Sequence, residues 1–164
     1  MSQLDSLSIR YELLDGDEIR HELCAGLGFS ADDRNENVRR IAYVAALLAR
    51  HGIIAIVAAI SPYRAARERA RQKCGRFIEV HVDCSIDTLI RRDVKGLYQR
   101  ALAGELSHFS GISDPYEPPE NPEIYLNSDL SSENECRELL ISRLQELNVL
   151  PAALPVIDLR EAYA

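Results

Sequence analysis

The apolar positions of the chain change period several times, and each change marks an element. Ile9 to Leu14 reads as a strand that stops at Asp15-Gly16-Asp17, and Glu18 to Ala25 as a short helix closed by Gly26. Ser30-Ala-Asp-Asp33 resembles a capping box with Asp where Glu or Gln is preferred. Val38, Ile41, Ala45 and Leu48 then recur at three- and four-residue spacing, which predicts a long helix with one apolar face. His51-Gly52 ends it, with Gly free to take positive φ. Ile53 to Ala59 is continuously apolar and rich in β-branched residues, the pattern of a strand covered on both faces in a parallel sheet. Ser61-Pro62 reads as an N-cap and first helical residue, with a helix to about Lys73 that breaks at Gly75. Phe77 to Val82 is a further strand, and Ser85 caps a helix through about Arg92. Ile124 to Leu126 is a short strand, and Ser131 to Leu147 a last helix with Leu139, Leu140 and Leu144 on one face. Strands alternating with helices predict βαβ units in a three-layer α/β domain over 13–150, with 1–12 an N-terminal remnant and 151–164 a peripheral C-terminal tail.

One stretch breaks the periodicity. Asp93 to Leu106 predicts a short helix ending at Gly104, followed by a proline-rich loop through Pro122. Loops of that length are uncommon unless they are lids or binding segments. This one brings Arg91, Arg92, Lys95, Arg100 and a lone Phe109 together with several carboxylates, which suits a flap over an anionic, aromatic ligand. A solvated surface loop, its cations paired with Glu105 and Asp114, is the alternative.

Composition narrows the classes. The 164 residues suit one domain, and a net charge of -7 argues against a broad nucleic-acid footprint. The longest apolar run, Ile53 to Ile60, is far below membrane-spanning length. The N-terminal residues have no basic segment leading into an apolar one, as a secretory signal would. Cys24, Cys74, Cys84 and Cys136 have no metal-ligand spacing and read as buried, reduced thiols of a cytoplasmic protein.

Ligands of open parallel sheets sit at the carboxyl ends of the strands. Three such ends present Asp15, Asp17 and Arg20; Ile60, Ser61 and Arg64; and Asp83. Arginine forks bind phosphate, and Mg²⁺ is commonly held by one or two carboxylates plus substrate phosphates. A phosphorylated ligand with a metal ion fits that rim. Simpler roles stand beside this: Asp15 starting a turn with Gly16, Ser61 as a helix cap, and Arg34, Arg39 and Arg40 as solvated surface with Glu36.

Taken in order, the segments Leu14-Asp-Gly-Asp-Glu-Ile-Arg20, Leu27-Gly-Phe-Ser-Ala-Asp-Asp-Arg34, Glu36-Asn-Val-Arg-Arg-Ile41, Ile60-Ser-Pro-Tyr-Arg64, Arg92-Asp-Val-Lys-Gly-Leu-Tyr98, Ala103-Gly-Glu105 and Asp114-Pro-Tyr-Glu-Pro-Pro-Glu-Asn-Pro122 resemble the adenylyl-sulfate kinase (APS kinase) family from about Leu13 to about Leu147. The resemblance implies a P-loop-kinase-like fold. It also implies transfer of the γ-phosphoryl of ATP, with Mg²⁺, to the 3′-hydroxyl of adenosine 5′-phosphosulfate (APS) in sulfate assimilation. On that resemblance Arg20, Arg34 and Asn37 would hold the phosphosulfate and ribose, and Phe29 and Phe109 would sandwich the adenine. Ile60 and Ser61 would touch the nucleotide, and Lys95 would reach its charged groups. Asp15 and Asp17 would lie near the metal and the attacking hydroxyl, and Arg92 near the ATP phosphates. Ser61 matches a serine described as a phosphoserine intermediate, although a cap position ill suits an obligatory nucleophile. Phe109 would become ordered with nucleotide. Homodimers are common among relatives.

The family's G-x-x-x-x-G-K-[ST] loop does not occur in the sequence; Lys95-Gly96 runs in the reverse order. With it go the strand before and the helix after, a unit within the roughly 30 residues of a βαβ motif. Two expectations follow: weak ATP binding by these residues alone, and unpaired strand edges near the sheet centre. Either the loop comes from elsewhere, upstream or in another chain, or the chain binds APS or a partner without transferring phosphate.

Overall fold

The computed structural model describes Leu4–Asp5 and Leu7–Pro151; the tail assigned to 151–164 lies, apart from Pro151, outside the described residues. The element order is β1 (Tyr11–Asp15), α1 (Gly16–His21), α2 (Ala31–Arg50), β2 (Ile54–Ala58), α3 (Arg64–Cys74), β3 (Val80–Asp83), α4 (Ile86–Arg92), α5 (Leu97–Leu102), β4 (Ile124–Asn127) and α6 (Glu133–Glu146). Alternation of strand and helix, with every strand pair parallel, is the expected α/β arrangement. β1 begins at Tyr11, two residues inside the segment read as an N-terminal remnant.

Local chemistry sets the helix ends. Ser30 Oγ accepts from Asp33 N at 3.2 Å and donates to Asp33 Oδ2 at 2.7 Å, so Ser30 caps α2 but the expected box is only half formed, since Asp33 bonds the Ser30 hydroxyl rather than its amide. Ser132, one residue beyond the expected start, forms a full capping box with Glu135 on α6. Asp93 accepts from the amides of Tyr98 and Gln99, each at 3.0 Å, and Gly96 takes φ 66°. Those two features separate α4 from α5, the two helices expected through about Arg92 and up to Gly104.

The Ser61 cap is a correction. α3 starts at Arg64, with Tyr63 at the N-cap and no side-chain cap from it. Ser61 has φ 43°, which turns the chain before the helix begins. The first-turn amide of Arg64 instead donates to Glu117 Oε2 at 2.7 Å, so the proline-rich loop caps this helix from 53 residues away.

The core lies between helices and half-sheets. Val38 and Ala42 of α2 pack on Ala66 and Ala70 of α3, flanked by Tyr63 and Phe77; the small side chains let the helices approach closely. Leu14, Ile41 and Ala45 form a second cluster under β1 and β2. Ile124 and Leu126 are buried while Tyr125 between them is exposed, the period-two signature of β4.

Among the described residues the sheet is in two parts, β1 paired with β2 and β3 with β4, with the unpaired strand edges expected where the loop motif is missing. Two packing expectations fail. β2 is not covered on both faces, since Val57 and, just past the strand, Ile60 are exposed. A residue pattern reports how apolar a strand is, not whether a neighbour is in place. Nor does α6 bury any residue among those described, and Leu139 is exposed, because only β4 packs substantially against it.

Candidate functional site

β1 and β2 run parallel with Asp15 opposite Ala58, so their carboxyl ends form one rim. Gly16 is required there: a Cβ would come 2.9 Å from the Ala58 carbonyl oxygen. Asp15 Oδ1 accepts from the amides of Asp17 at 2.9 Å and Glu18 at 3.3 Å, capping α1. The turn role and the rim role therefore belong to the same residue. Asp17 projects into solvent and pairs with Lys95 from the α4–α5 turn. The Lys95 ammonium, by hydrogen bond and charge, holds the Asp17 carboxyl below its ordinary range, and Asp17 in turn raises Lys95.

Next to this pair lies an aromatic–guanidinium cluster. Phe29 is 54% exposed, with the Arg20 guanidinium 4.5 Å and that of Arg34 5.5 Å from its ring centroid. Arg20 Nη1 donates to Gly28 O at 2.9 Å. Arg34 is not solvated surface: it is 7% exposed, donates through Nε to Phe29 O at 2.9 Å and through Nη2 to His108 O. Burial pushes its pKa below the ordinary guanidinium value. Arg39 and Arg40 do take the surface role, pairing with Glu36 at 2.6 and 2.8 Å. One turn beyond Arg34, Asn37 is buried, and its Oδ1 has no hydrogen-bond partner. A buried amide oxygen without a donor is costly, and a ligand that donates to it would remove that cost.

The 105–122 loop is built rather than solvated. Gly111 N donates to Asp114 O at 2.7 Å, and the His108 ring lies 3.2 Å from the Asp114 carboxylate. Phe109 packs edge-to-face on Tyr98, centroids 5.0 Å apart at 76°. The loop's far end is fixed by Arg67, whose three donors reach Glu79 Oε1, Ser61 O and Glu117 O, each at 2.7 Å. Arg100 pairs with Glu105 at 3.3 Å, as the surface alternative had it, whereas Asp114 goes to His108.

Asp15, Asp17 and Lys95 thus form one group, and Arg20, Phe29, Arg34, His108 and Phe109 a second. Ile60, 64% exposed, and Ser61 follow β2 on the same rim. Arg92 stands apart: it donates to Ser128 O at 2.7 Å and approaches Cys84 Sγ at 3.7 Å, at the end of the β3–β4 pair. Asp83, in the same place, accepts from the Tyr125 hydroxyl at 2.6 Å. Arg64 turns away toward Glu120 and Pro118. Sequence reasoning missed Arg67, Tyr98, His108 and Glu117; only the density of Pro and acidic residues after His108 hinted at a structured loop.

No three His, Cys, Asp or Glu side chains among the described residues cluster as metal ligands. Asp15 nevertheless fits a Mg²⁺ carried mainly by phosphates. One of its oxygens is committed to the cap, and the other accepts no hydrogen bond among the described residues.

Comparison with known proteins bears on the family and the fold. The family model described as adenylylsulphate kinase matches residues 1–127. The adenylyl-sulfate kinase of Synechococcus sp. (strain JA-2-3B'a(2-13)) is 53% identical over 143 residues, covering 87% of this chain and 82% of the relative. The Mycobacterium tuberculosis APS kinase CysC, solved in complex with AMPPNP and APS, superposes with a TM-score of 0.80 at 42% identity, over 88% of this chain and 85% of that one. A hexameric APS kinase from Thiobacillus denitrificans superposes at 0.65 with 29% identity, over 91% of this chain and 26% of that one.

Proposed function

The chain belongs to the adenylylsulphate kinase family, and from that premise we propose that its rim binds APS and serves phosphorylation of the APS 3′-hydroxyl by ATP in sulfate assimilation. The observation that carries the reading is the Arg20–Phe29–Arg34 cluster beneath the flap. An exposed aromatic face flanked by two guanidinium groups matches a ligand with a flat base and an anionic tail.

Phe29 offers one face of the adenine site, and Phe109, released from Tyr98, the other. Arg20 and Arg34 hold the phosphosulfate oxygens. Asn37 Oδ1 accepts from a ribose hydroxyl, which relieves its unpartnered burial. Ile60 and Ser61 line the nucleotide from the end of β2. Ser61 needs no covalent role, because phosphoryl transfer depends mostly on in-line positioning and charge neutralisation. Asp17 takes the 3′-hydroxyl proton. In the free chain it is a weak base, since Lys95 lowers its pKa; a phosphate that draws Lys95 away restores its basicity. Asp15 would hold Mg²⁺, which would neutralise charge on the phosphates of ATP, the phosphoryl donor. Arg92 reaches the ATP phosphates only if it leaves Ser128.

A second reading, binding of APS without phosphorylation, is favoured by one observation: the 164 residues contain no G-x-x-x-x-G-K-[ST]. Calorimetric titration separates the two. APS binding that falls at least tenfold in Arg20→Ala supports the site, and unchanged affinity refutes it. Micromolar ATP binding by this chain supports phosphotransfer, and its absence leaves the binding reading. Cytoplasmic residence and self-association as a homodimer complete the proposal.

A further inference from the structure

The flap carries a carboxylate to the anion-binding side of the rim. Its turn closes on Phe109 O, which accepts from the amide of Ile112 at 3.1 Å and from those of Ser113 and Asp114 at 3.0 Å each. Phe109 N donates to Ser113 Oγ at 2.9 Å, so Asp114 is fixed relative to Phe109 and travels with it. The Asp114 side chain is 16% exposed, and both its oxygens lie 3.2–3.3 Å from His108 Nδ1. The His108 carbonyl in turn accepts from Arg34. Burial and the neighbouring Arg20 lower the Arg34 pKa, and the Asp114 carboxylate acts on it in the opposite direction. Arg34 commits Nε to Phe29 O and Nη2 to His108 O, which leaves Nη1 without a protein partner among the described residues.

The other carboxylates near the rim are engaged elsewhere. Asp15 caps α1, Asp17 pairs with Lys95, and Asp33 bonds Ser30. Asp114 has no Arg or Lys partner among the described residues, so no permanent cation cancels its charge beside Arg34. That placement runs against simple anion attraction. Two guanidinium groups alone favour the ligand with more negative charge. A terminal sulfate carries one negative charge, whereas a terminal phosphate of the same shape approaches two above its second ionisation at about pH 6. ADP ends in such a phosphate and is the by-product of the proposed transfer. Arg20 and Arg34 by themselves would therefore hold the by-product in preference to the acceptor.

We infer that Asp114 is a specificity-determining residue: its carboxylate, carried on the flap beside Arg34, admits the singly charged sulfate of APS and disfavours the doubly charged phosphate of ADP. This role rests on APS binding at the rim. Discrimination is a difference of two affinities, and a repulsive element contributes to it as much as an attractive one. The Asp114 charge opposes both ligands, but the dianion about twice as strongly as the monoanion.

The test is displacement of APS by ADP at pH 8, a competition that reads ADP only where it occupies the APS site. In the wild type ADP is expected to bind there at least tenfold more weakly than APS. Asp114→Asn keeps the size of the side chain and loses its charge, and should shrink that preference at least fivefold, mainly through tighter ADP. Asp114→Glu keeps the charge and should keep most of the preference. His108→Gln removes the imidazole and leaves the carboxylate, so the preference should stay within twofold of the wild type whatever happens to the two affinities separately. An unchanged preference in Asp114→Asn, or an equal loss in His108→Gln, would overturn the inference while APS binding still upholds the site. A wild-type chain that binds no APS would overturn the site and Asp114's role together.

Discussion

The guanidinium of Arg34, on α2, donates to the main-chain carbonyl of His108 at the head of the flap, 74 residues along the chain. Through its Nε the same group holds Phe29 O at 2.9 Å. One buried side chain thus fixes both walls of the proposed adenine site. Arg34→Ala leaves two carbonyls without a donor, at about 1.5–3 kcal/mol for a hydrogen bond to a charged group. The expected outcome is a lower midpoint of thermal unfolding, faster amide exchange across Phe109–Asp114, and APS affinity reduced at least tenfold. Arg34→Lys should recover little, since an ammonium cannot reproduce the planar fork. Wild-type exchange in the flap of Arg34→Ala would refute the tether.

Phe109 rests on Tyr98, and in the proposed site it leaves Tyr98 to sandwich the adenine. An edge-to-face pair is worth about 0.5–1.5 kcal/mol beyond its buried area. Tyr98→Ala removes that competitor, so APS affinity should stay the same or rise as much as severalfold while the ligand-free flap exchanges faster. Phe109→Ala should lower both affinity and flap protection. Equal losses of affinity in the two variants would mean that Tyr98 touches the ligand itself.

Arg67 is the structural hinge of the far end of the loop, with all three donors satisfied and little exposure. Removing one partner of a buried ion pair costs about 3–5 kcal/mol, because the remaining charge stays buried. Arg67→Ala should therefore unfold well below the wild type in a denaturant titration. Glu117→Gln, which weakens a charged cap on α3, should cost about 0.5–2 kcal/mol. A smaller loss in Arg67→Ala than in Glu117→Gln would contradict this ordering.

What the sequence made legible was local. The Ser30 cap, the face of Val38, Ile41 and Ala45, and the β-branched run of β2 each depend on neighbours within a few residues, and each formed within a residue or two of expectation. Asp15, Asp17 and Arg20 were findable at a strand end and the next helical turn, and Arg34 through the family resemblance. The Ser61 cap failed because its competitor, Glu117, is far away in sequence. Arg67 and His108 were invisible for the same reason: a loop has no period to report what it touches. The split sheet was foreshadowed by the missing loop motif rather than by strand composition, since Val57 and Val82 look as apolar at an open edge as they would in a filled sheet.

Lys95 and Asp17 make the last prediction one of sign. Asp17 has its pKa depressed by Lys95, so the pair contributes stability above the ordinary carboxylate pKa of about 4 and loses it as pH falls through the folded value. Both side chains are largely exposed, so screening by water and salt keeps the contribution small. In Lys95→Met, an NMR titration should show the Asp17 carboxyl midpoint moving up toward the ordinary range. The stability difference from the wild type should appear at neutral pH, shrink in high salt, and vanish once both states are protonated in acid. Catalysis should show the opposite balance. Lys95→Met gives Asp17 a higher basicity but removes the cation that neutralises phosphate, so in a chain competent for transfer kcat should fall despite the stronger base. An Asp17 midpoint unchanged in Lys95→Met would show that another group sets its acidity.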